Sequence, residues 1–502
     1  MPKKKGKKKM KRMKKILAMV MAMAMVLGMS LTAFAEGVTI KIVEKDGTDS
    51  KADLQYVQAI KADTEALTGW SFTTEAIAEA YMSAFEVSDA QQAIIMLAKN
   101  TDATAYEELS IAEGLVAATA SQIDVALSNV VAIENVLSFM ENGMKVTGAG
   151  IYVIKAVEAG FTYKNMAAYV GFGEVDGSYP VLQPAEITAK KSSNIITKEN
   201  QGEAADNAVA VGDVVSFRVE SHFPYIDANA AGKKYVIQDT LTGAEFDMSS
   251  VKVEIGGKDY TNMVMPTLLA DAPEGKQILE IDLSGLIDNG NSLANETVVV
   301  TYSATVTAVS VNNTVEHDGT GITDAKPGET NLYTGSITIT KYDADGTTPL
   351  AGAEFVVARA ATGVVEDETD GFQANEGFEY ATFDNDWKLT GWVNNIEGAT
   401  HVTTGQDGKA TVNGLDENTY AFIEVKAPEG YSINEEPATA ELGYEGEKAE
   451  AVFTAATSMT DTRLNALPST GGIGTTIFTI GGVAIMVVAA GLFFATRKKS
   501  SK

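Results

Sequence analysis

The sequence predicts a multidomain, mainly β protein: an α/β N-terminal domain, then two β-sandwiches, bracketed by a cleaved signal peptide and a C-terminal transmembrane helix. Three observations lead there. Apolar residues recur at helical spacing only in the first part of the chain. From about residue 148, β-branched and aromatic residues alternate with polar ones between Gly, Asn and Asp clusters. Both ends carry an uncharged apolar run beside a block of Lys and Arg.

Residues 1–15 hold nine Lys, one Arg and no acid; residues 16–29 are apolar, and Ala33-Phe34-Ala35 follows. A basic region, a short apolar core and small residues at an A-x-A site read as a secretory signal peptide cleaved after Ala35. The run is short for a membrane span. Residues 473–496 form an uncharged run of 24 residues, long enough to cross a bilayer, followed by Arg497-Lys498-Lys499 on the side where positive charge belongs. Those two signals contain 14 of the 39 basic residues and none of the 67 acidic ones. Residues 36–470 therefore carry 25 basic against 67 acidic groups, a net charge of −42. So acidic a surface argues against nucleic-acid binding, which needs Lys and Arg against phosphate.

The 435 residues between the signals predict about three domains at ~150 residues each. Residues 36–184 begin helical: Ile77, Tyr81, Ala84 and Phe85 share a face, as do Ile123, Leu127, Val130 and Val131. Ser88 with Gln91 suggests a capping box. Strand-like runs follow at 150–156, 161–163 and 168–172. Residues 185–333 read as all β, with runs at 214–219, 251–255 and 298–302 separated by turns such as Asp288-Asn289-Gly290-Asn291. Residues 334–466 continue the alternation from Ser336-Ile337-Thr338-Ile339-Thr340-Lys341 through the turn Asp343-Ala344-Asp345-Gly346. Residues 467–502 form the terminal signal.

There is no cysteine, which excludes disulfides, thiolate metal sites and cysteine nucleophiles. Three His make a zinc enzyme improbable. No P-loop and no G-x-S-x-G is present, so the chain reads as a non-enzyme without cofactor or metal. Trp70, Trp387 and Trp392 fit core or interface anchors better than a carbohydrate groove.

Leu467-Pro468-Ser469-Thr470-Gly471, the apolar run and the basic end together resemble the cell-wall sorting signal of Gram-positive surface proteins. The resemblance implies cleavage by a sortase between Thr470 and Gly471, and transfer of Thr470 to a peptidoglycan precursor or to another pilin subunit. The membrane is then a partner only before cleavage, and the finished protein sits on the cell wall or in a pilus. Lys341-Tyr-Asp-Ala-Asp-Gly, Pro349-Leu350-Ala351-Gly352-Ala353-Glu354-Phe355 and the stretch from Tyr420 through Glu424 to Tyr431 resemble the Cna-B (prealbumin-like) domain. Val211-Gly212-Asp213-Val214-Val215-Ser216-Phe217, Ile237-Gln238-Asp239-Thr240-Leu241 and Val300-Thr301-Tyr302 leading to Asn313 resemble the isopeptide-forming fimbrial D2 domain, of immunoglobulin-like build. The family is the sortase-assembled, isopeptide-forming pilins.

Such domains carry a spontaneous amide between a Lys and an Asn or Asp side chain. A Lys amine attacks only when neutral, and a buried acid stays protonated and can shuttle the leaving proton. The resemblance assigns Lys341, Glu424 and Asp461 to the third domain, with Asn465 the alternative partner. It assigns Lys198, Asp239 and Asn313 to the middle domain, with Lys191 and Asn312 as alternatives. Polymerising pilins also carry an acceptor Lys in a Tyr-Pro-Lys motif. Here Tyr179-Pro180-Val181-Leu182 lacks it, and Lys164, Lys190 and Lys191 lie nearby. The function expected is a wall-anchored structural pilin. The alternative is a tip or base adhesin whose N-terminal domain holds a host or matrix ligand.

Overall fold

The computed structural model describes residues 37–175, 178–202, 206–360, 377–444 and 448–464. Three buried hydrophobic clusters organise the chain.

The first core lies between a sheet and helices. The sheet runs Trp70–Phe72, Asp53–Ala62, Gly150–Val157, Met166–Val170, with Ser138–Met140 also pairing to Asp53–Ala62. The helices Glu75–Phe85, Ala90–Ala98 and Ala120–Val131 turn their apolar faces inward, burying Ile77, Tyr81, Phe85, Ile95, Leu127 and Val130. The cap of the second helix is Asp89 rather than Ser88. The Asp89 carboxylate accepts from the Gln91 and Gln92 N–H groups, so two orphan donors share one anion at the positive end of the helix. The true capping box is Thr119 with Gln122. Val38–Val43 pairs in parallel with Ala185–Thr188, and Lys191–Ser193 pairs with Phe161–Tyr163. Residues 185–193 thus join the N-terminal unit, although composition groups them with the middle block.

The middle unit is a sandwich of two five-stranded sheets. One runs Thr197–Gln201, Val214–His222, Thr297–Val306, Ala244–Ile255, Lys258–Asp259. The other runs Thr267–Leu268, Lys276–Asp282, Tyr235–Thr242, Ser310–Gly319, Gly328–Tyr333. Strict alternation supplies the core: Val298, Val300, Tyr302, Ala304 and Val306 all point inward. The edge strands Thr197–Gln201 and Gly328–Tyr333 meet where the sheets close. Gly328 permits the approach, since a Cβ there would sit 2.9 Å from the Lys198 backbone nitrogen.

The third unit packs a three-stranded sheet, in the order Lys409–Leu415, Gly335–Asp343, Phe453–Asp461, on a larger one containing Glu354–Ala360 and Asn418–Lys426. Its first and last strands run parallel and adjacent, from Gly335 opposite Phe453 to Asp343 opposite Asp461.

Neighbouring units are hydrogen-bonded to each other. Tyr225 N donates to Thr162 Oγ1 at 2.8 Å, and Asn165 Nδ2 to Asp227 Oδ2 at 3.1 Å. A loop of the middle unit inserts into the third core. Ala210 is buried there, and Val211 N donates to Gly414 O at 2.9 Å.

Candidate functional site

In a sandwich the inward face of each strand is apolar, so a Lys on that face is costly unless paired. Among the described residues two such lysines occur, one per sandwich.

Lys198 lies on the edge strand Thr197–Gln201, where alternation turns it inward; its side chain is fully buried. Its ammonium contacts the Asp239 Oδ2 and donates to the Tyr302 hydroxyl at 2.6 Å. Asp239 is on Tyr235–Thr242 in the opposite sheet. The Tyr302 hydroxyl donates to Asp239 Oδ2 at 2.9 Å and accepts from Asn313 Nδ2 at 2.7 Å. Lys198 and Tyr302 therefore come from one sheet, Asp239 and Asn313 from the other. Burial pushes the Lys198 amine down to about 8 and pushes the Asp239 carboxyl up. Both shifts favour an uncharged pair. Asp239 Oδ1 and Asn313 Oδ1 are buried without a hydrogen-bond partner.

The alternatives for this site lie elsewhere. Lys191 pairs with Glu44 and Glu158 in the N-terminal unit, over the Phe161 ring. Asn312 faces outward and bonds Glu329 and Asn331, as a one-residue step along a strand requires.

Lys341 lies on Gly335–Asp343 and is fully buried. Its Nζ bonds Asp461 Oδ1 and lies 2.9 Å from Glu424 Oε1, without hydrogen-bond alignment to the latter. Lys341 is opposite Met459 in the parallel ladder, so it reaches Asp461 diagonally, two residues on. Glu424 crosses from Asn418–Lys426 in the facing sheet, its Oε2 held by the Asn434 N–H at 2.7 Å. Burial pushes Asp461 up to about 6; Lys341 opposes the shift and Glu424 adds to it. The Phe355 ring centroid lies 5.6 Å from Lys341 Nζ.

All three residues expected at each site lie together. Sequence reasoning gave no role to Tyr302. The available signal was a Tyr on the inward face of an otherwise aliphatic strand, whose buried hydroxyl must find a partner.

Ala33, Ala35, the motif Leu467, Pro468, Ser469, Thr470 and Gly471, the span 473–496 and Asn465 lie outside the described residues. Side chains of Tyr179 and Pro180 do too, on the strand Ser178–Leu182. Lys164 is paired with Asp124 at 2.6 Å, while Lys190 is exposed. Trp392 stacks on Tyr420, and Trp387 packs on the third core. Trp70 lines a cavity of about 500 Å³ in the N-terminal unit, with Tyr106, Tyr169, Leu97, Leu109 and Ile123.

Two family profiles match this chain: a prealbumin-like fold domain of the SpaA type over residues 335–457, and an LPXTG cell wall anchor motif over residues 461–501. A prealbumin-like domain followed by an LPXTG anchor supports a sortase-assembled Gram-positive pilin. The chain is similar to the trypsin-resistant surface T6 protein of Streptococcus pyogenes serotype M6, 24% identical over 440 residues covering 70% of this chain and 80% of that one. The solved T6 backbone pilin overlays with a TM-score of 0.47 at 16% identity, covering 86% of this chain and 94% of that one. The Corynebacterium diphtheriae major pilin SpaA gives 0.42 at 14% identity, covering 85% and 100%.

Proposed function

We propose that this protein is a structural pilus subunit whose two sandwiches are each closed by an intramolecular amide, Lys198 to Asn313 and Lys341 to Asp461. Asp239 and Glu424 act as the buried acids. One observation carries the reading: each sandwich holds a solvent-free Lys in contact with a carboxyl and gathered with an acyl partner from a distant strand. A Lys–acid pair alone would be an expensive way to fill a core, since such pairs rarely outperform apolar packing. A cross-link accounts for the cost. Folding supplies the proximity that lets amide formation proceed without an enzyme.

Intact mass of the mature chain tests this directly. The expected value is lower than the sequence mass by one ammonia and one water. An unshifted mass removes both bonds.

A second reading, a wall-anchored adhesin with a host or matrix ligand on its N-terminal unit, is favoured by the Trp70 cavity. Wall material released by muramidase separates the two. A detergent-resistant ladder of oligomers supports the structural subunit. A single anchored species that binds ligand through the N-terminal unit supports the adhesin.

A further inference from the structure

We propose that Tyr302 is a catalytic residue of the middle sandwich, relaying a proton from the attacking Lys198 nitrogen to the departing Asn313 nitrogen. This rests on reading that cluster as an amide-forming site.

The two sandwiches differ in what touches the leaving group. In the third, Glu424 is in contact with Lys341 and also faces Asp461, so one acid reaches nucleophile and leaving group. In the middle sandwich Asp239 bonds Lys198 and Tyr302. The hydrogen bond of Asn313 Nδ2 goes instead to the Tyr302 hydroxyl, at 2.7 Å. That hydroxyl is the group in bonding contact with the nucleophile, the acid and the leaving nitrogen together. It is held there firmly: the residue is 2% exposed, with its ring against Phe217 and Phe246 at centroid distances of 5.4 and 4.9 Å. Burial holds the phenol well above its ordinary range, so it works as a hydroxyl and not as a phenolate.

The step balances. Neutral Lys198 adds to Asn313 Cγ, giving a tetrahedral centre with a positive Nζ and a negative oxygen. Asn313 Nδ2, no longer conjugated, gains a basic lone pair. Nζ gives a proton to the Tyr302 oxygen while the Tyr302 proton passes to Nδ2. The Cγ–Nδ2 bond breaks, ammonia leaves and the carbonyl re-forms. Tyr302 ends as it began. With Tyr302 donating to Asp239 Oδ2, the acid's own proton falls on Oδ1. Asp239 Oδ1 and Asn313 Oδ1 are the two buried oxygens of the cluster without a hydrogen-bond partner.

The test uses the mature chain, residues 36–470, refolded by dilution from the denatured, unlinked state. Amide formation is followed by intact mass and by mapping the Lys198–Asn313 linked peptide. Wild type loses ammonia at that peptide. Tyr302→Phe keeps the ring and should slow that loss by roughly 10²–10⁴-fold, the usual share of general acid–base catalysis. Water loss at Lys341–Asp461 should proceed unchanged and reports that the chain has folded. Ammonia loss at the wild-type rate in Tyr302→Phe overturns the proposal. Should the variant not fold, 3-fluorotyrosine placed at 302 preserves shape and alters only hydroxyl acidity. A changed rate supports the relay, and an unchanged one overturns it. If wild type itself never forms the linked peptide, the cross-link reading fails first and the relay goes with it.

Discussion

Glu424→Gln tests the third sandwich most sharply. The substitution is isosteric, and the new amide oxygen can still accept from the Asn434 N–H, now satisfied by Glu424 Oε2 at 2.7 Å. What it removes is the acid beside Lys341 Nζ. The chain should then regain one water in intact mass while still losing the ammonia of the middle sandwich. Lys341 and Asp461 are 120 residues apart, and by the loop-closure relation for cross-links such a closure contributes about 4–5 kcal/mol. At roughly 3–5 °C per kcal/mol for a domain of this size, its midpoint should fall by about 12–25 °C in a calorimetric scan. Lys341→Met, which removes the nucleophile, should likewise retain that water. A Glu424→Gln chain with wild-type mass and midpoint would show that the acid is not needed, and the mechanism argued for this site would be wrong.

Two further outcomes follow from the same chemistry. Asp461→Asn changes the leaving group from water to ammonia but yields the same linked product, so the cross-linked variant and wild type should have identical masses; a persistent one-proton-scale difference by high-resolution mass spectrometry would mean that no bond forms there. In refolding time courses, the Lys198–Asn313 amide should form about tenfold faster per pH unit as pH rises from 6 to about 8, then level off. Below about 8 the amine is mainly protonated and cannot attack, and above it the amine is mainly free. A flat profile across that range would contradict a nucleophile held near 8 by burial.

The helices and most sandwich strands were legible because their apolar periods are local. Ile77, Tyr81 and Phe85 mark one face of a helix, and Val298 and Val300 mark one face of a strand. The cap at Asp89 was misread by one residue because Ser88 and Asp89 are both good caps, and sequence does not show which backbone enters in the extended conformation. Parity decides between Asn312 and Asn313 once the strand is placed. Lys191 and Lys198 could not be ranked by parity, because each lies on a strand. Long-range pairing separates them: Lys191 pairs back with Tyr163, and Lys198 joins Val219. The burial of Ala210 in the neighbouring core and the convergence of Tyr302 on Asn313 are contacts between distant segments. They leave no periodic trace in sequence.

The side-by-side arrangement of Gly335–Asp343 and Phe453–Asp461 has a mechanical consequence. A pull along the chain enters at the start of the first strand and leaves at the finish of the second. Strands pointing the same way and loaded so are sheared lengthwise, and all nine rungs resist at once. A hairpin would instead unzip rung by rung. Lys341 and Asp461 lie at the downstream end of that ladder, so a bond between them would shunt the load past residues 342–460. The middle sandwich, tied from Lys198 to Asn313, would leave residues 194–197 and 314–333 in the line of force. Two sandwiches tied in this way would hardly lengthen before their covalent backbone was itself under strain.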